Sequence, residues 1–206
     1  MTNSSNPWIT RSAEPAVEPK APVINDRPAP PTGPTGPQPG VPEPAAEELL
    51  PVREVWATPT VWVLGVHGGA GESTVAGLVP SWEAAGHAWP RPVERAAAPV
   101  LLVARTHMRG LMAARAAATQ WAAGVVPQAD VLGLVLIADA PGRLPRALRD
   151  LAQVVSGGVP RAWTVPWIES WRLGESPTLS AAPRAARRMV DEVHGIIPNP
   201  RADGAS

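Results

Sequence analysis

The residues best suited to chemistry lie in one short stretch, His67-Gly68-Gly69-Ala70-Gly71-Glu72-Ser73-Thr74, directly after the apolar run Val61-Trp-Val-Leu-Gly-Val66. A buried strand that enters a glycine-rich turn and then a helix presents successive backbone N–H groups around a concave nest. The helix N-terminus adds partial positive charge, so this geometry favours an anion. Further along, Arg105 and the segment Asp139-Ala-Pro-Gly142-Arg143 each follow another apolar run and form a possible second element of the same site. In open parallel sheets ligands sit beyond the carboxyl ends of the strands, which would bring all three segments together.

The composition removes several chemistries. The chain of 206 residues has no Cys, Tyr or Phe, so disulfides, thiolate metal sites, cysteine nucleophiles and tyrosine acid–base catalysis are excluded. Four His far apart in sequence make a poor zinc site. Lys and Arg total 18, of which only Lys20 is lysine, and the formal net charge is zero. A balance of that kind argues against a dominant polyanion-binding role, although Arg143, Arg146 and Arg149, or Arg184, Arg187 and Arg188, could gather into a DNA-facing patch. The longest apolar run, Val131–Ala138, falls far short of the roughly 20 residues of a membrane span. Residues 1–7 lack a basic and an apolar region of signal-peptide type, and a cytoplasmic location is expected.

The elements that must hold these residues follow from hydrophobic patterning. Thirteen of the 27 Pro lie in residues 1–51, where apolar residues are sparse. This predicts a disordered, Pro-rich tail over 1–51, a domain over 52–197 and a flexible C-terminal tail over 198–206. Continuous apolar runs at 61–66, 100–104 and 131–137, and a weaker one at 162–165, predict strands covered on both faces. Leu111, Ala114, Ala118 and Trp121 share one helical face, as do Leu148, Leu151, Ala152 and Val155, and as do Ala186, Met189, Val190 and Val193. Pro145 suits the start of the second of these helices and Gly157-Gly158 its end. The helix after the glycine turn should break near Pro80. Strands alternating with helices predict an α/β fold, a three-layer sandwich around a mostly parallel sheet. Trp163, Trp167 and Trp171, spaced four apart around Pro166, read as packing at the end of that sheet.

The glycine turn resembles the Walker A loop of the partition-type P-loop ATPases, the ParA/MinD family, with its pattern Lys-Gly-Gly-x-Gly-Lys-[Ser/Thr]-Thr. Gly68, Gly69, Gly71, Ser73 and Thr74 fall on the family's glycines and hydroxyls. The two lysines are replaced. The resemblance implies that His67 stands where a signature lysine reaches the nucleotide of a dimer partner. It implies that Glu72 stands where a lysine holds the β- and γ-phosphates. A unit charge about 4 Å away is worth on the order of 4 kcal/mol at an effective dielectric of 20, so Glu for Lys turns attraction into repulsion of that size. No cofactor is therefore expected, and ATP or GTP with Mg only if Arg105 or Arg143 restores the missing charge. Glu72 itself is expected to act as an internal anion, accepting from the N–H groups that a phosphate would otherwise use.

The later strand–helix units, from Val100 through Gly174-Glu175, also resemble those of the same ATPases. That similarity implies a shortened P-loop NTPase-like fold in which Gly86–Pro92 stands where aspartate-bearing switch segments would be. Asp139 reads either as the end of a later strand or as a Walker B-like residue. The chain is similar, too, to a set of high-GC bacterial proteins with the same Gly-Gly-Ala-Gly-Glu-Ser turn, found around plasmids and integrated mobile elements. The resemblance thus implies a pseudo-NTPase acting through an unknown protein partner, or as a homodimer, in plasmid or mobile-element maintenance or transfer. A nucleotide-binding P-loop NTPase with non-standard residues and an Arg-based DNA-associated module stand as alternatives.

Overall fold

The computed structural model describes residues 30–197. In chain order these form a 3-10 turn (Ala46–Glu48), β1 (Val52–Val55), β2 (Val61–Gly65), α1 (Glu72–Ala76), β3 (Trp82–Ala84), β4 (Trp89–Pro92) and β5 (Ala98–Arg105). There follow α2 (Met108–Ala122), β6 (Ala129–Ile137), α3 (Arg146–Ser156), β7 (Ala162–Val165), α4 (Glu169–Arg172) and α5 (Arg184–Ile196). Five strands pair in the order β3-β2-β5-β6-β7, every pair parallel, and β1 pairs with β4 as a separate two-stranded parallel sheet.

The apolar runs become strands because both faces of the large sheet are covered. On one face Leu64, Leu102, Ala104, Leu134 and Leu136 pack against Leu111, Ala114, Ala117, Ala118 and Trp121 of α2 and against Ala152 and Val155 of α3. On the other, Val61, Val63, Leu101, Val103 and Val135 meet Val75 of α1 and Ala186, Met189, Val190 and Val193 of α5. The result is an α/β fold with helices on both sides of a parallel sheet. Its core side chains are each worth about 1.5–3 kcal/mol of burial.

The expected elements at β2, β5, β6, β7, α2, α3 and α5 are present. The helix after the glycine turn is shorter than Pro80 alone requires, since it closes at Ala76 with the Gly77 N–H on Ser73 O at 2.9 Å. Pro145 lies one residue before α3 and Gly157 directly after it.

The expectation of a disordered tail through residue 51 is corrected over residues 30–51. Thr32 N–H donates to Pro160 O at 2.9 Å and Gln38 N–H to Ala122 O at 2.8 Å, while Val41 and Leu50 pack against the α2 side of the core. Gln120, buried on α2, accepts from Leu50 N–H at 3.0 Å and from Trp89 Nε1 at 2.9 Å, and donates to Leu50 O at 3.0 Å. Sparse apolar residues suffice because the backbone of this strap finds partners on the domain. Residues 1–29 and 198–206, the rest of the expected tails, lie outside the described residues. Among the described residues, no helix is long and apolar enough to cross a membrane.

Candidate functional site

The strand order places β2 at a branch point. The crossover through α1 leads to β3 on one side of β2, whereas β5 lies on its other side and is followed by α2 on the opposite face. Where crossovers diverge in this way, a crevice opens outside the carboxyl ends of the strands. The glycine turn leaves the end of β2, Arg105 ends β5, and Asp139 follows β6.

Within the turn, Gly69 and Gly71 adopt left-handed backbone conformations, with φ of 74° and 100°. At Gly71, which caps α1, a Cβ would also come within 2.8 Å of Ile137 Cδ1, so backbone angle and close approach both require glycine. Ala70 is buried and its N–H turns back to His67 O at 3.2 Å. The N–H groups of Gly71, Glu72, Ser73 and Thr74 meet no acceptor among the described residues. Gly68 and Ser73 are exposed and Thr74 half-buried.

His67 is tied down rather than extended. Its Nε2 accepts from the Arg105 N–H at 3.0 Å, which leaves Nδ1 to carry the proton and donate to Gly68 O at 2.9 Å. Burial lowers its pKa from the ordinary 6.5, and the charges of His107, His87 and Arg105 push the same way against the Gly68 hydrogen bond. His107 lies beside it, with ring centroids 5.0 Å apart and planes tilted by 59°, and accepts from Gly110 N–H at 2.9 Å to cap α2. Gly110 is required by contact: a Cβ there would lie 2.3 Å from Arg105 O and 2.8 Å from His67 Nε2.

Glu72 does not cap the turn, which corrects the expectation of an internal anion. Its side chain is only 8% exposed, and Oε1 accepts from the backbone N–H of His87 at 3.2 Å. Oε2 lies 3.7 Å from His87 Nδ1, which donates to Gly65 O at 2.7 Å. His87, held at φ 55°, stands in the β3–β4 loop, within the Gly86–Pro92 stretch. The carboxylate thus joins α1 to that loop and accepts from none of the free N–H groups of the turn.

Arg105 supplies positive charge at the turn. Its Nε lies 3.4 Å from Gly69 O and its Nη1 donates to Ala138 O at 3.1 Å, bridging the ends of β2 and β6. Burial lowers its pKa, partly offset by Asp139. The turn, Glu72, His87 and Arg105 enclose a cavity of about 220 Å³. Asp139 is exposed, with its N–H on Thr106 Oγ1 at 3.1 Å, and together with Gly142 and Arg143 it lines a separate, more apolar cleft of about 670 Å³. Arg143 lines this cleft and not the cavity at the turn. Of the arginines considered as a patch, Arg146 pairs with Asp150 at 3.6 Å and Arg188 with Glu192 at 2.6 Å.

A family model matches residues 59–190, a span that takes in the glycine turn, Arg105, Asp139 and most of α5. The chain belongs to DUF6668, a family of unknown function. No curated protein and no solved structure matches it. The DUF6668 match therefore covers the whole large sheet and the crevice at its carboxyl end, and leaves out the strap over residues 30–51 and β1.

Proposed function

We propose that this DUF6668 protein is a P-loop-like pseudo-NTPase of partition-ATPase type, working through protein partners in the plasmid or mobile-element setting that the resemblance implies. The observation that carries the reading is Glu72. It stands at the phosphate-lysine position of the motif, with its carboxylate turned to the His87 N–H. Supporting it, His67 at the second lysine position spends both ring nitrogens on Arg105 N–H and Gly68 O. The turn lacks the groups that hold a magnesium nucleoside triphosphate: among the described residues there is no lysine, and the phosphate-lysine position of the motif holds Glu72.

Arg105 favours a second reading, a site for a phosphate compound in which its guanidinium replaces the missing lysine. Hydrolysis separates the two. The pseudo-NTPase reading expects Mg-ATP and Mg-GTP turnover no greater than that of a Ser73→Ala variant. Turnover that Ser73→Ala removes would overturn it and favour the Arg105 site.

A further inference from the structure

The cleft of about 670 Å³ lies beyond the carboxyl ends of β5, β6 and β7, and no residue of the glycine turn lines it. Leu144, Leu148, Pro166 and Trp167 give it apolar walls. Thr106, only 5% exposed, lines it as well. Its Oγ1 accepts from the Asp139 N–H at 3.1 Å, and its own hydroxyl proton meets no acceptor among the described residues. A buried donor in that state is completed by water or by a ligand. An apolar enclosure with a few polar groups, beyond the strand ends of an open α/β sheet, is a common setting for a small-molecule site.

Donors outnumber acceptors around this cleft. His107 lines it half-buried, and because its Nδ1 accepts from the Gly110 N–H the ring carries its proton on Nε2. Pro145, at the wall, starts α3 without a side-chain cap, and the N–H groups of Arg146, Ala147 and Leu148 meet no acceptor among the described residues. No acidic residue stands in that first turn, so the partial positive charge of the helix start is left uncompensated there. Arg143 is exposed and forms no ion pair among the described residues. Asp139 is the one acid among the lining residues, and its charge already acts on Arg105, whose pKa it holds up against burial.

We propose that this cleft binds a small organic acid, a single carboxylate on an aromatic or aliphatic body. The carboxylate takes the unpartnered donors at the start of α3, with Arg143 as its counter-charge. An ammonium group would meet like charge at both. Asp139 limits how much negative charge the site accepts, which favours a monoanion over a phosphate dianion. The body packs on Leu144, Leu148 and the Trp167 ring, whose Nε1 is already satisfied by Glu169 Oε2 at 2.7 Å, so that its faces are left for apolar contact. The site stands apart from the reading of the glycine turn, and all of its lining residues fall within the DUF6668 match over 59–190.

Nitrogen–proton NMR of the full chain, titrated with naphthylacetate, naphthylacetamide and naphthylethylamine, reads head-group charge and binding place together. Naphthylacetate at millimolar concentration should shift the backbone signals of Ala147 and Leu148 and the Trp167 indole signal saturably. The neutral carboxamide should do so more weakly and the amine not at all, and the signals of Gly68–Ser73 should stay in place. Arg143→Ala, a surface change, removes a charged donor and should weaken naphthylacetate binding roughly tenfold. No saturable shift at α3 and Trp167 would overturn the proposal. So would a carboxamide or amine that binds as tightly as the acid, an Arg143→Ala variant that binds it equally well, or shifts centred on the glycine turn.

Discussion

Replacing Glu72 separates a carboxylate that holds the β3–β4 loop from one that merely sits at a helix start. In Glu72→Ala the His87 N–H loses the acceptor it has at 3.2 Å, next to a backbone held at φ 55°, in a place where the Glu72 side chain is 8% exposed. Because His87 itself is exposed and water can replace the lost acceptor, the cost reaches about 1–3 kcal/mol only to the extent that the N–H stays dry. For a domain of this size that full cost corresponds to a Tm loss of about 2–12 °C. Glu72→Gln keeps a carbonyl oxygen within reach of the same N–H and removes a buried charge, so it should stay within about 1 kcal/mol of wild type. Thermal unfolding followed by circular dichroism gives the order. Hydrogen exchange at His87 adds a local readout, which should quicken in the Ala variant and stay near the wild-type rate in the Gln variant. Equal losses for Ala and Gln, or no loss for Ala with exchange at His87 unchanged, would refute the account of Glu72 as the acceptor for His87.

Two further outcomes follow from the hydrogen bonds behind the turn. His67 is neutral in the fold with its pKa below 6.5, so between that folded value and 6.5 the unfolded chain binds more protons and stability falls as pH drops through the window. A pH series of melting temperatures should show this slope in the wild type and a shallower one in His67→Gln; equal slopes would remove His67 as its source. Gly110→Ala places a Cβ 2.3 Å from Arg105 O, a backbone atom that has no side-chain freedom to yield. It should destabilise by more than the roughly 1 kcal/mol of an ordinary point change, and a Gly110→Ala melt at or above the wild-type temperature would contradict the close approach of α2 to β5.

The sheet and its main helices were legible because double-sided burial writes continuous apolar runs into β2, β5 and β6 and a 3.6-residue period into α2 and α5. The small β1–β4 sheet left no such mark. Val52-Arg-Glu-Val55 is exposed at its first three positions, and Pro90 and Pro92 disguise β4 as a loop. The strap over residues 30–51 shared the composition of a linker. The one hint of it was Gln120, a polar residue on a buried helical face, whose amide turns out to hold Leu50 and Trp89. At the site, the glycine spacing announced the turn, and the strand ends brought Arg105 to it. The direction of the Glu72 carboxylate was not legible, because its acceptor role depends on a backbone N–H fifteen residues away in a left-handed conformation. The same holds for His67, whose partner at Arg105 comes from a different strand.

Isothermal titration of the full chain with Mg-ATP and Mg-GTP, and with their diphosphates, tests the central claim most directly. With Glu72 in place of the phosphate-binding lysine and His67 engaged on Arg105, no saturable heat is expected from any of the four, whereas Glu72→Lys should gain affinity for the triphosphates. Saturable binding of a triphosphate to the wild type, as tight as to Glu72→Lys, would contradict it.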